Sequence, residues 1–176
     1  MRKKIMRQLN AEDKMNMLNF EIANVKVDGA IGFGSGSLEP RVIFVGQNPG
    51  QSAYNGYRFF SNPKDGSSQL LLPILDRLGI HNQVYFTNIV HSTTVDNAIP
   101  DHELVNIWAP YFSRELAIVS DKDSIILAMG AWTSNTLHRL NIKHDRIWHP
   151  SYIRHRRPDL KDEYEEIIRR HVKSTF

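Results

Sequence analysis

Arg41-Val42-Ile43-Phe44-Val45-Gly46-Gln47-Asn48-Pro49-Gly50 is the stretch on which the fold turns. Its first half is an apolar run of strand length, and its second half is turn chemistry that cannot continue a strand. Outward from it, residues 84–88, 124–129 and 146–148 also read as strands, which with 41–45 makes four. Helical patterns lie between and around them. Residues 67–78 put Leu70, Leu71, Ile74 and Leu78 on one face, and Gly79 stands where a helix C-terminus favours glycine. Residues 101–119 form another helical stretch that Pro110 is expected to bend or divide. Residues 131–140 and 159–173 follow, the last with Leu160, Tyr164, Ile167 and Ile168 inward. The alternation implies a three-layer α/β/α sandwich around a short central parallel four-stranded sheet.

Residues 5–19 read as a helix packed on the side of this unit, and 29–37 as a flexible Gly/Ser-rich connection. Gly32-Phe33-Gly34-Ser35-Gly36 matches Gly-x-Gly-x-Gly but precedes its strand instead of following it, which argues against a dinucleotide fingerprint. With no repeat visible, residues 1–176 read as one domain able to bury a substantial core.

Composition narrows the classes. No apolar run approaches the ~18 residues of a membrane span, and the basic opening residues 1–7 lack a following secretory h-region. A soluble, cytoplasmic protein is the expectation. The absence of cysteine excludes disulfides, thiolate metal sites, iron-sulfur clusters and cysteine nucleophiles. A net charge of +3 permits an anionic partner without requiring one. Arg154-His155-Arg156-Arg157 is the densest basic run, and in isolation such a run is ordinarily solvated surface.

Ligands of open parallel sheets bind at the C-terminal ends of the strands. Asn48 after the first strand, Asn88 at the end of the second and His149 after the fourth all fall there. Singly, each has a plain structural explanation as a turn, a cap or a strand end. Their common placement on one sheet edge favours a site. The other histidines, including His91, His102, His138, His144 and His155, show no metal-ligand spacing, and no metal is assigned.

Gly46-Gln47-Asn48-Pro49-Gly50 and His149-Pro150-Ser151-Tyr152 together resemble the two active-site motifs of the uracil-DNA glycosylase superfamily. The resemblance runs from about residue 29 to 157 and is strongest to the thermophilic-type, family 4-like branch. Ile31-Gly32-Phe33-Gly34-Ser35-Gly36 is similar to that branch's glycine-rich lead, and Gly56-Tyr57-Arg58-Phe59 with Gln69-Leu70-Leu71 to its Gly-x-x-Phe element and Gln-Leu-Leu helix. Tyr85-Phe86-Thr87-Asn88 is similar to its Tyr-x-Thr-Asn strand, and Ala128-Met129-Gly130-Ala131 to its Leu-Gly-Ala turn. The branch normally carries an iron-sulfur cluster on four cysteines. This chain has none, Ser92 and Trp108 stand where two ligands are expected, and ordinary packing is expected in place of the cluster, with no cofactor. The first loop is nearer the Gly-x-Asn-Pro-Gly form of the mismatch-specific and single-strand-selective branches, which suits a divergent bacterial or viral member.

The resemblance implies an enzyme that removes uracil, or a 5-substituted uracil, from DNA by base excision and leaves an abasic site. Its partner is DNA containing such a base, and it is expected to act as a monomer. Asn48 and His149 carry the catalytic roles, positioning water and steadying the departing uracil anion. Phe59 stacks on the pyrimidine, with Phe60 as the neighbouring alternative, while Asn88 reads its edge and Gln47 adds a backbone contact. Ser151, Tyr152, Ile153 and Arg154 resemble the loop that enters the minor groove, with Tyr152 or Ile153 as the wedge. Arg154, Arg156 and Arg157 neutralise phosphates. Two alternatives stand beside this reading. One is a glycosylase-fold protein that binds DNA or recognises modified bases with weak or no hydrolysis. The other is an enzyme for bases such as 5-hydroxymethyluracil in viral DNA, for which Gly50 leaves room where the most uracil-restricted branch carries a Tyr.

Overall fold

The computed structural model describes residues 9–32, 34–50 and 65–173. Four strands are parallel neighbours: β2 (Val42–Gly46), β3 (Val84–Asn88), β4 (Ile125–Met129) and β5 (Asp145–Ile147). A fifth, β1 (Ser35–Gly36), pairs antiparallel with β3, giving the sheet order β1-β3-β2-β4-β5. All five residues of β2 are buried, because helices cover both faces of the sheet's centre.

Side-chain alternation along β2 divides the core into two clusters. Val42 and Phe44 point to the face covered by α2 (Gly66–Arg77), α5 (Pro150–Arg156) and α6 (Lys161–Lys173). There Leu71, Ile74, Ile153, Tyr164 and Ile168 join them, and the Phe44 and Phe86 rings stack with centroids 5.4 Å apart. Ile43 and Val45 point the other way, to α1 (Ala11–Ala23), α3 (His102–Val119) and α4 (Ala131–Arg139). Leu18, Trp108, Phe112 and Leu137 complete that second cluster. The α/β/α layering expected from alternation is therefore present, with each layer packed through its apolar face.

Several boundaries differ from the sequence reading, each for a local reason. The stretch 29–37 is not simply a connection, since Ser35–Gly36 is the edge strand and Ile31 N–H donates to the His91 carbonyl at 2.7 Å. A Cβ on Gly34 would collide with the Phe86 carbonyl, so this glycine serves close backbone approach. Pro110 does not divide α3, which runs unbroken between the fully buried Trp108 and Phe112 that hold it to the core. Of the helix expected over residues 5–19, residues 5–8 lie outside the described residues, and the described helix runs Ala11–Ala23, its first turn capped by the Asn10 side chain, which accepts from Asp13 N–H at 2.8 Å. A 3₁₀ turn at Pro158–Leu160 precedes the C-terminal helix, which begins at Lys161.

The largest difference lies after β5. Residues 151–154, which resemble a loop that enters the minor groove, lie in helix α5, capped by His149 with Pro150 in its first turn, a position where proline's missing N–H costs nothing. Among the described residues, no helix is long and apolar enough to cross a membrane.

Candidate active site

Parallel pairing sets the strand C-termini along one edge, and three polar side chains meet the backbone there. Gly46 and Asn88 are direct partners across β2 and β3. A side chain on Gly46 would strike Asn88 Oδ1, so the glycine makes room for a buried amide laid across the strand ends. The chain then stays zipped to its neighbour, with Ile89 N–H donating to the Gly46 carbonyl at 3.1 Å and Val90 N–H to the Gln47 carbonyl at 3.0 Å. These bonds hold the Gln47-Asn48 loop directly above β3.

Asn48 is half-buried, and its Nδ2 donates to Thr94 Oγ1 at 3.1 Å and to the Pro49 carbonyl at 3.2 Å. On the far side of β2, Gly130 N–H donates to the Ile147 carbonyl at 2.9 Å and ties the end of β4 to β5. His149 follows two residues later, its Cβ 3.7 Å from the point where a Gly130 side chain would begin. The edge thus carries Asn88, Asn48 and His149 on β3, β2 and the β5 exit.

His149 Nδ1 accepts from Ser151 N–H at 3.1 Å. An Nδ1 that accepts carries no proton, so the neutral ring holds its hydrogen on Nε2. Burial pushes the His149 pKa below its ordinary value, and the nearby Asp65 carboxylate opposes this only in part. Asp65 itself caps α2, accepting from Ser68 N–H at 2.9 Å. Desolvation and tautomer therefore agree on a neutral imidazole that keeps one donor, Nε2–H.

The residues beyond His149 divide by exposure. Ile153 is fully buried in the core cluster under α5, which corrects its expected place as a wedge. An α-helix sends successive side chains to different faces, so Tyr152, 44% exposed, points outward while Ile153 points in. Arg154 and Arg156 are exposed, and the Arg154 guanidinium lies against Gly66 at the start of α2. Arg157 pairs with Asp159 at 2.8 Å. Phe59 and its alternative Phe60 lie outside the described residues.

Ser92 and Trp108, which the resemblance sets at two cluster-ligand positions, pack against each other. Trp108 Nε1 donates to Ser92 Oγ at 3.1 Å, both side chains are fully buried, and the indole packs against the His91 ring at 5.4 Å. An indole and a hydroxyl offer no thiolate, so these residues do not fit a cluster.

Two participants escaped the sequence reading. Thr94 is the partner of Asn48 described above. Glu115 is fully buried and accepts from Tyr85 Oη at 2.7 Å, Gly34 N–H at 2.8 Å and Thr87 Oγ1 at 2.9 Å, with His91 Nε2 3.2 Å away. A signal for Glu115 was present: it lies on the same helical face as Trp108, Phe112 and Leu116, and a carboxylate in an apolar stripe must find buried partners. For Thr94 nothing in the local sequence distinguished it.

A family model for the uracil DNA glycosylase superfamily matches residues 33–173. The type-4 uracil-DNA glycosylase of Pyrobaculum aerophilum is 32% identical over 108 residues, 61% of this chain and 53% of that protein. The type-4 uracil-DNA glycosylase of Sulfurisphaera tokodaii is 30% identical over 100 residues, 55% of this chain and 43% of that protein. The chain spans about half the length of these curated relatives. In fold it is similar to the crystal structure of Pedobacter heparinus SMUG2, with a TM-score of 0.60 at 16% identity over 77% of this chain and 76% of that one. With most of its length inside the family match, and both loop motifs within it, the chain belongs to the uracil DNA glycosylase superfamily.

Proposed function

We propose that the protein hydrolyses the N-glycosidic bond of uracil in DNA and leaves an abasic site for base excision repair. The observation that carries this reading is the Ser151 N–H to His149 Nδ1 bond, which leaves Nε2–H as a donor for a developing anion. A base within a duplex is out of reach, so the nucleotide first leaves the stack and reaches the sheet edge that carries Asn48, Asn88 and His149. The Asn88 amide accepts from uracil N3–H and donates to O4, a pattern that cytosine opposes. As the C1′–N1 bond breaks, its electron pair moves onto the uracil ring, and His149 Nε2–H stabilises the charge at O2. Water oriented by Asn48 adds to C1′, and its proton leaves to solvent or to the departing base. A neutral amide has no useful proton affinity near pH 7, so Asn48 orients water and does not deprotonate it.

Exposed Tyr152 is the wedge in this reading, and Arg154 and Arg156 meet phosphates. Replacing Arg154 and Arg156 by alanine is expected to weaken binding to every DNA sequence and to flatten the salt dependence by about one unit of log–log slope per arginine. Arg157→Ala should change the slope less, because Asp159 already neutralises that guanidinium. Salt titrations of binding by fluorescence anisotropy decide this, and an unchanged slope in the double variant returns the run to solvated surface.

Asn88→Asp is expected to relax selection between uracil and cytosine, since a carboxyl presents a different donor and acceptor pattern. Competing excision of both bases by a well-folded variant tests it, and undiminished uracil preference removes Asn88 from the pocket.

The defining experiment is incubation with single-base oligonucleotides followed by alkaline cleavage of abasic sites. Uracil is expected to be released, with 5-hydroxymethyluracil tolerated because Gly50 stands where the most uracil-restricted branch carries a Tyr, unless Gln47, or Tyr54 or Tyr57 outside the described residues, fills that space. A second reading, DNA or modified-base recognition with weak hydrolysis, is favoured by the neutral amide at Asn48. Tight binding to uracil-containing DNA without excision would select it.

A further inference from the structure

We infer that Thr94 is a positioning residue that fixes which end of the Asn48 amide faces the site. This rests on the proposed role of Asn48 in holding water. The direction of the hydrogen bonds carries the argument. Thr94 Oγ1 is 2.7 Å from the Ala98 carbonyl, which can only accept, so the single hydroxyl hydrogen is committed there. The oxygen then offers only lone pairs to its other neighbour. Asn48 must meet it with Nδ2 at 3.1 Å, and the Pro49 carbonyl, at 3.2 Å from the same nitrogen, makes the same demand. A flipped amide would set Oδ1 against two acceptors. The oxygen is thereby turned away from Thr94, and among the described residues no donor is bonded to it. It is the end able to accept from a water.

The loop around Thr94 is built to hold this arrangement. Asp96 and Asn97 adopt φ of 52° and 54°, a left-handed conformation that these two residue types tolerate better than most. Ala98 N–H donates to the Val95 carbonyl at 2.9 Å and Asn97 N–H to that of Thr94 at 3.3 Å. The tight turn carries the Ala98 carbonyl back onto the Thr94 hydroxyl. Loss of that hydroxyl frees the amide to rotate, so a fraction of molecules presents a donor where an acceptor is needed.

Single-turnover excision from a uracil oligonucleotide, with saturating enzyme, tests the inference in four variants. Thr94→Val should slow base release about tenfold while DNA affinity changes by less than about twofold, and Thr94→Ser should restore the rate. In an Asn48→Ala background Thr94→Val should have no further effect, which a purely structural role would not produce. A wild-type rate in Thr94→Val, or the same loss with Asn48 already removed, overturns it. An independent measurement is hydrogen exchange of the Asn48 side-chain amide by ¹⁵N–¹H NMR. Protection is expected in the unsubstituted protein and Thr94→Ser, and loss of protection in Thr94→Val. Unchanged exchange overturns the inference even if no base is released. Absence of uracil excision by the unsubstituted protein overturns the proposed function instead, leaving the amide's orientation to the exchange result.

Discussion

His149→Ala is expected to slow uracil release by ~10²-fold or more in single-turnover assays while leaving DNA affinity little changed, because it removes a donor aimed at charge that exists only in the transition state. The substitution also removes the cap of α5. His149→Asn separates the two roles, since asparagine is a good N-cap residue but is too short to reach where Nε2 stood. Both variants should be slow, whereas only His149→Ala should disturb α5. The pH profile adds a second check. Protonating Nδ1 would set two donors against each other at Ser151 N–H, so the charged ring cannot keep its cap. Burial lowers the folded-state pKa, so below the ordinary ~6.5 the unfolded chain takes up a proton that the folded one refuses. Stability from this group is present above that value and is lost as pH falls through the folded pKa. The acid limb of base release should lie below the ordinary histidine range, and should vanish in either variant. Full activity in His149→Ala would remove the residue from the chemistry.

Glu115→Ala is expected to destabilise the protein by about 3–5 kcal/mol, because it leaves several buried donors without their acceptor and opens a cavity. The carboxylate is fully buried and gathers a strand hydroxyl, a tyrosine, a backbone N–H from the glycine-rich lead and a histidine. Its loss withdraws a shared acceptor from donors on β3 and on the glycine-rich lead and opens a cavity beside them. Glu115→Gln keeps the shape and part of the accepting capacity, so a smaller loss is expected. The urea midpoint should fall with an unchanged slope. Thr87 immediately precedes Asn88 in β3, so the alanine variant should also lose base selectivity at temperatures where it remains folded. A midpoint shift equivalent to less than about 0.5 kcal/mol would mean that water replaces the carboxylate, and would remove Glu115 as the anchor of β3.

Local chemistry made much of the architecture legible. The apolar run ending in Gly46-Gln47-Asn48 and the period of Leu70, Leu71 and Ile74 encode a strand, a turn and a helix through neighbours within a few residues. The rise from Ile147 through His149 to Pro150 was harder, because the same His-Pro-Ser sequence suits a loop or a capped helix. Contact between α2 and α5 chose the helix, with Ile153 driven into the core and Arg154 laid against Gly66. Glycine signals freedom, so the Gly/Ser-rich lead resembles a connection. Here its missing side chains instead allow the close approach to β3.

Residue order encodes the α/β alternation, the strand ends where Asn48, Asn88 and His149 stand, and the lack of any thiolate. These depend on residue type and on spacing of one or two turns. How those side chains are aimed comes from contacts between distant segments. Asn48 meets a hydroxyl 46 positions away, β3 and the glycine-rich lead are joined by a carboxylate 81 positions from Gly34, and the indole of Trp108 donates to a hydroxyl 16 positions before it. Hydrogen-bond direction depends on which donors and acceptors the fold brings within ~3 Å. No local pattern carries that information, because partners so distant in sequence meet only after the sheet has formed and the helices have closed on it.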